Sequence, residues 1–233
     1  MERGKGMKVI AAIPAYNEER TIASVVSEAK SHCAEVIVVD DGSSDNTPKI
    51  IQALGIKYAL CGHNRGAGSA TGIGLRMALE AGADVVVTLD GDGQHDAREI
   101  PALLEPFSLY GNVGVVIGSR FLNGYEIPKY RKFGIDVITG LYNFGHRHRI
   151  TDSQCCFRAY SRAFLKRINI DEPGFGFSVE LLVKARKLGF GISEVPVSCI
   201  YHDNYKQDST LPPLRHGLGV ALKTVEWRLR LRT

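Results

Sequence analysis

Over its first 120 residues the chain alternates short apolar runs with helical patterns, and that alternation constrains the fold more than any other feature. Residues 8–13, 35–40, 57–61, 84–90 and 113–119 are short, rich in Val and Ile and bounded by turn residues, which predicts five strands. Four helices fit between them. The first carries Ile22, Val25, Val26 and Ala29 on one face; the second starts at Asn46-Thr47-Pro48, a cap followed by proline. The third spans 66–81, and the fourth starts at Asp96 with Glu99 three residues on, the spacing of a capping box. Strand and helix in strict alternation imply an α/β fold with a mostly parallel central sheet and helices on both faces. Ligands of such sheets sit beyond the carboxyl ends of the strands, here at residues 14–18, 40–44 and 90–95.

Beyond Arg120 the pattern changes. A loop at 123–128 leads to a helix over 129–146 and a strand at 155–160. A glycine-rich loop at 173–177 precedes a helix over 178–188, and a last strand covers 194–200. The tail, 214–231, places Leu214, Leu218, Ala221, Leu222, Val225 and Leu229 at helical spacing among basic residues, so amphipathic C-terminal helices are expected. No internal repeat or low-complexity stretch marks a linker, and residues 1–233 read as a single domain. A chain of this length buries roughly 70% of its unfolded surface, enough to fold without disulfides or a structural metal.

No run approaches the ~18 apolar residues of a membrane span, and no signal-peptide pattern follows the basic residues 1–8, so a cytoplasmic protein is expected. The five cysteines are an odd number without a CxxC pair, which suits reduced thiols. The formal net charge of +4 says little, but its distribution is uneven. Residues 120–150 hold six basic residues (Arg120, Lys129, Arg131, Lys132, Arg147, Arg149) against Glu126 and Asp136. From Arg215 onward there are five against Glu226 alone. Either segment is a solvated basic face or meets an anionic partner: a nucleic acid, a phosphate or a lipid surface.

The strongest chemical signal is Leu89-Asp90-Gly91-Asp92-Gly93-Gln94-His95 at a strand end. Two carboxylates one residue apart can converge on a hard divalent cation, with the Gln94 amide oxygen as a further ligand, whereas an isolated pair of this kind is more often a solvated turn. Its company changes the balance, because Pro14-Ala15-Tyr16-Asn17-Glu18 and Asp40-Asp41-Gly42-Ser43-Ser44-Asp45 stand at two other strand ends. Asp41 can accept hydrogen bonds from nucleobase N–H groups while Pro14 and Tyr16 offer an apolar wall; the same residues also read as helix caps. Competing motifs fail. The glycines at 66–72 have Thr71 where a dinucleotide fingerprint needs glycine or alanine, and they read as sites of close helix packing and of backbone approach to a ligand. No GxxxxGK[ST] is present. Cys155-Cys156, in an expected strand, reads as packing and not as a nucleophile.

In order, Pro-x-Tyr-Asn-Glu, Val-Val-Asp-Asp-Gly-Ser-x-Asp, Asp-Gly-Asp-x-Gln-His and Gly-Ser-Arg resemble the inverting family 2 glycosyltransferases of GT-A (Rossmann-like) fold, over about residues 8–197. Within that family the sequence is similar to dolichyl-phosphate mannose synthases and related polyprenyl-phosphate glycosyltransferases. The resemblance implies that residues 8–120 form the nucleotide-sugar-binding half, 121–200 the acceptor half, and 201–233 an acceptor loop and tail helix. It makes Pro14, Tyr16, Glu18, Val39 and Asp41 nucleotide-binding positions, with Arg65 either a donor contact or a solvated loop arginine. Asp90, Asp92 and Gln94 would hold Mg2+ or Mn2+ against the donor diphosphate, with Gly91 in the same donor-binding turn. Asp92, Arg120 and Arg131 form the implied catalytic set, the arginines binding phosphate oxygens.

The family's acceptor-loop arginine is missing from the matching region, 201–209, where Lys206 or His202 is the candidate to replace it. The Gln-x-x-Arg-Trp motif of processive polysaccharide synthases is also absent. The implied reaction moves a hexose from a nucleoside-diphosphate sugar, GDP-mannose or a UDP-sugar, to a polyprenyl (dolichyl) phosphate. Transfer to a soluble hydroxyl acceptor, with Asp152 or Glu180 as general base, and a non-catalytic sugar-nucleotide-binding module are the alternatives. A lipid acceptor implies a peripheral protein at the cytoplasmic face of the membrane. Its contacts would come from a 129–146 helix exposing Ile135, Ile138, Leu141 and Tyr142 and from the tail with Trp227. No nucleic-acid partner is expected, and homo-oligomerisation is left open.

Overall fold

A computed structural model describes residues 6–122, 124, 129–200 and 213–230, with the side chains of 129–131 and 213–216 outside that description. The five expected strands are present as β1 (Val9–Ala15), β2 (Glu35–Asp40), β3 (Lys57–Leu60), β4 (Val85–Thr88) and β5 (Val113–Ser119). With β6 (Arg158–Ser161) and β7 (Gly191–Pro196) they form a seven-stranded sheet in the order β3-β2-β1-β4-β6-β5-β7. Only β6 runs antiparallel to its neighbours β4 and β5. Ile10, Ile13, Ile37, Val38, Val86, Val87 and Val115 to Ile117 are buried, as a sheet covered on both faces requires.

β6 starts three residues later than the sequence suggested, and β7 ends four residues earlier. The physical reason is that the flanking backbone is claimed elsewhere. Arg158 ties the carbonyls of Ser153 and Cys155 into a turn before β6. After β7, Ser198 N donates to Glu99 and Ile200 N to the Gln94 carbonyl at 2.9 Å, so this stretch leaves the sheet and crosses the strand ends.

The helices are α1 (Ile22–Lys30), α2 (Thr47–Ala53), α3 (Ala67–Glu80), α4 (Ile100–Leu109), α5 (Lys129–Asn143), α6 (Arg162–Leu165), α7 (Phe177–Lys187) and α8 (Pro213–Arg230). The expected capping box before α4 is only half formed. Asp96 accepts from Arg98 N at 2.9 Å and opens a 3-10 turn, Ala97–Glu99, but the Glu99 carboxylate takes Ser198 N at 3.0 and 3.1 Å.

The apolar faces of α5 and α8 also differ from expectation. Ile138 and Tyr142 are buried and Ile135 and Leu141 half-buried, because this side of α5 packs on the core and on α8. Phe133 (70% exposed), Val137 and Phe144 (74%) point outward instead. On α8, Trp227 is buried with Val220 and Thr224, its ring under the Lys184 and Arg230 cations, while Leu218, Leu222, Val225 and Leu229 face out. Arg228 donates to the carbonyls of Leu141, Tyr142 and Phe144 and so caps the end of α5. Among the described residues no helix is long and apolar enough to cross a membrane.

Candidate functional site

β1 lies between β2 and β4, so the chain reverses its winding there and a crevice opens at the strand ends. The register brings Ala15 opposite Asp40 and Ala12 opposite Thr88, which puts three of the polar segments together. Asn17, in the left-handed region at φ 59°, accepts from Ser44 N at 2.8 Å and donates its own N–H to Ser43 Oγ at 2.8 Å. Glu18 N donates to Thr47 Oγ1 at 2.8 Å, and Glu19 Oε2 accepts from Asn46 N at 3.0 Å. The loops after β1 and β2 are therefore tied to each other by hydrogen bonds.

The adjacent Asp40 and Asp41 have separate tasks. Asp40 Oδ2 accepts from Gly42 N and Ser43 N at 3.2 and 3.1 Å and shapes the turn. Buried Asp41 accepts from Arg65 N at 2.9 Å and Gly66 N at 2.8 Å, which fixes the loop after β3 and leaves lone pairs on each oxygen. Pro14 and Tyr16 are half-buried beside it, whereas the Arg65 side chain is exposed. Val39 is fully buried, and its methyl lies 3.5 Å from a β-carbon built on Gly74 of α3, so it supports this wall from beneath and offers no surface. The glycines at α3's start serve close approach to backbone at 172–174: Gly68 N and Ser69 N donate to Pro173 O at 2.8 and 3.2 Å.

The acidic centre follows β4. Gly91 is buried, with its carbonyl accepting from Thr21 Oγ1 at 2.7 Å, and a β-carbon there would lie 3.3 Å from Pro14 O. Asp92 Oδ1 accepts from Gln94 N at 2.9 Å, and Gly93 at φ 75° completes the turn. His95 Nε2 lies 3.5 Å from Asp90 Oδ2, and its ring stacks on Phe157 with centroids 5.2 Å apart. Asp90 and Asp92 both act on Glu18. Burial first, then the Asp92 charge, with smaller contributions from Asp90 and Asp45, pushes its carboxyl up to about 8 against a hydrogen bond from Thr21. Among the described residues no three His, Cys, Asp or Glu side chains converge on one point, so a cation here would take two carboxylates and an amide oxygen from the chain. Such a set suits a hard ion that keeps positions for diphosphate oxygens.

Arg120 follows β5, and its guanidinium is taken in two parallel bonds by Asp152, Nε to Oδ2 at 2.7 Å and Nη2 to Oδ1 at 3.0 Å. Burial favours a neutral Asp152, but the Arg120 charge and hydrogen bonds, with the Gln154 amide, outweigh it and hold the carboxyl below the usual range. Asp152 also accepts from Gln154 N and Cys155 N, both at 3.1 Å, so it has no lone pair left for a substrate proton. Glu180 takes three donors, Asp171 N, Glu172 N and Lys184 Nζ, and is fully buried, out of reach of a substrate. Neither fits the general-base role expected for a hydroxyl acceptor. The side chain of Arg131, and all of His202 and Lys206, lie outside the described residues.

Two buried or half-buried charges here, Arg158 and Glu194, carried no expectation in the sequence, and Glu99, expected in a capping box, serves another partner. Buried Arg158 donates to the carbonyls of Cys155, Ser178 and Ser153. Glu194 accepts from Thr151 N and Asp152 N. Glu99 receives Ser198 N. The one available signal was a charge inside an apolar strand pattern, at Arg158 and Glu194.

A model of the family described as Glycosyl transferase family 2 matches residues 10–169. A UDP-N-acetylglucosamine–dolichyl-phosphate N-acetylglucosaminyltransferase of Methanococcus voltae is 35% identical over 215 residues, covering 81% of this chain and 84% of its own length. An undecaprenyl-phosphate mannosyltransferase of Micrococcus luteus is 31% identical over 208 residues, with 83% and 84% covered. The glucosyl-3-phosphoglycerate synthase of Mycobacterium tuberculosis, solved with Mn2+, UDP and phosphoglyceric acid, matches with a TM-score of 0.73 at 20% identity. That match covers 97% of this chain and 78% of the other, and it shows a shared GT-A-like fold.

Proposed function

Because the chain belongs to glycosyl transferase family 2, we propose that it is an inverting, metal-dependent glycosyltransferase moving a hexose from a nucleoside-diphosphate sugar, GDP-mannose or a UDP-sugar, to a polyprenyl phosphate. The observation that carries this reading is the meeting of Asp90, Gly91, Asp92 and Gln94 with the loops of Pro14, Tyr16, Glu18 and Asp41 in one crevice. The two relatives above are named for transfer onto dolichyl or undecaprenyl phosphate.

In this reading the free lone pairs of Asp41 accept from the nucleobase, with Pro14 and Tyr16 as its apolar wall. Asp90, Asp92 and the Gln94 oxygen hold Mg2+ or Mn2+. When bound, that ion supplies charge neutralisation at the leaving diphosphate. Arg120, and Arg131 from α5, donate to phosphate oxygens of donor or acceptor. A phosphate oxygen of the acceptor attacks the anomeric carbon from the face opposite the leaving group. The bond to the diphosphate breaks, its electron pair departs with the nucleoside diphosphate, and the configuration inverts. A phosphate monoester is anionic near neutral pH and needs no strong base, which agrees with the burial and pairing of Asp152 and Glu180. Ile200, bonded to Gln94, brings the start of the proposed acceptor loop beside the acidic turn.

The outward stripes of α5 and α8 would rest on the membrane surface that holds such a lipid. Incubation with labelled donors and polyprenyl phosphate tests the reaction: label should pass into an organic-extractable glycolipid, and label recovered only in water-soluble products overturns it. Asp92→Ala should reduce metal-dependent turnover by at least about 100-fold; unchanged turnover would contradict the metal assignment.

A further inference from the structure

We infer that Asp152 is the positioning residue for Arg120, turning that arginine's outer edge toward the anionic groups of the reaction; the inference rests on the reading that Arg120 meets phosphate oxygens. A guanidinium offers two forks of N–H groups, one along its side at Nε and an Nη, and one at its end between the two Nη atoms. Asp152 fills the side fork at 2.7 and 3.0 Å. No described residue takes Nη1, so the end fork points away from the carboxylate. The Asp152 side chain is 0% exposed and that of Arg120 14%, so the carboxylate is sealed from solvent while the arginine keeps an exposed edge.

The support for Asp152 is built from both sides. Its own N–H and that of Thr151 donate to Glu194 Oε1 on β7 at 3.0 and 2.9 Å, and Thr151 Oγ1 adds a third bond at 2.9 Å. On the far side Arg158 holds the carbonyls of Ser153 and Cys155 at 2.7 Å each. Glu194 of β7 and Arg158 of β6 thus hold the 151–155 turn whose carboxylate takes the Arg120 guanidinium. A free arginine gives up its rotamer freedom when it binds a phosphate, whereas this one has given it up on folding. The paired carboxylate also cancels most of its net charge. What remains is direction: two N–H groups at a fixed angle, suited to two oxygens of one phosphate.

A double-mutant cycle on the full chain tests this, with transfer from labelled donor to polyprenyl phosphate as the readout. Arg120→Met and Asp152→Asn should each lower kcat/KM by about 100-fold, the loss typical of a misplaced catalytic contact. The double variant should be no slower than Arg120→Met alone. The Asp152→Asn pH profile should keep its shape at reduced height, because the carboxylate does not exchange a proton with substrate. Each single variant leaves one charge of the pair buried and alone, so should either fail to fold, Asp152→Glu, which keeps the pair but displaces the guanidinium, takes its place: it should lower kcat/KM by about tenfold or more, and unchanged transfer by it overturns the inference. A further loss of tenfold or more (~10) on adding Asp152→Asn to Arg120→Met overturns the inference. Full turnover by Arg120→Met overturns instead the phosphate-contact reading beneath it, and absence of transfer by the unmodified chain overturns the transferase reading.

Discussion

Gly42 shows how much one residue of the site depends on its backbone. It sits at φ 78°, and a β-carbon there would come within 3.0 Å of backbone atoms of His63 and Asn64. The turn that carries Asp41 therefore admits glycine alone. Gly42→Ala should cost about 2–4 kcal/mol, combining left-handed strain with displacement of the 63–66 loop, and a urea midpoint shift measures it. An unchanged midpoint would mean that the loop yields freely. Asp41 would then lose its hold on Arg65 N and Gly66 N, so the donor KM should rise in step. At the same scale, a motif identifies Asp40 and Asp41 as a pair but does not apportion their work. Which oxygen meets which amide depends on where β3 and its loop come to rest.

At the scale of elements, α8 is both a structural helix and an exposed one. Its inner face, Val220, Thr224 and Trp227, closes the core beside α7. Its outer face sets Leu218, Leu222, Val225 and Leu229 at intervals of four, three and four. Trp227→Ala should destabilise the chain by about 3–5 kcal/mol, as loss of a buried large side chain does. The combined change Leu218→Ser, Leu222→Ser and Leu229→Ser should leave the melting temperature within about 2 °C while weakening co-sedimentation with anionic liposomes. Unchanged liposome binding would sink the membrane reading of that face. The helical period of α8 was plain in the sequence, but its orientation was not. Period 3.6 locates an apolar stripe, and the partner decides which side of a broad stripe is covered. Tyr142 and Trp227 look like interface aromatics in the sequence and are core residues in the fold, because α5 and α8 cover each other.

For the whole molecule, the buried ion pair links stability to pH. Asp152 is held below the ordinary carboxyl range in the folded chain, so the unfolded state binds its proton first as pH falls. The stability from this group is present above the unfolded value of about 3.9 and is lost as pH drops through the lower folded value. In Arg120→Met the sign reverses. A carboxyl buried without its cation has a raised pKa, and the folded variant gains stability relative to its own neutral-pH value as pH falls toward about 4. The stability gap between the two proteins should be widest near pH 7 and narrow toward pH 3, as urea titrations across that range would show; a constant gap contradicts the pairing. The alternation of β1 to β5 with α1 to α4, the mostly parallel sheet and the acidic turn at Asp90 and Asp92 were legible in the order of residues. Those features rest on local periodicity and on turn chemistry that short segments carry alone. What only the folded chain fixed is the antiparallel β6, the departure of residues 198–200 toward Gln94, and the pairing of Arg120 with Asp152 under Glu194 and Arg158. These depend on residues far apart in the chain satisfying each other's buried charges and amides, and no local pattern encodes such a match.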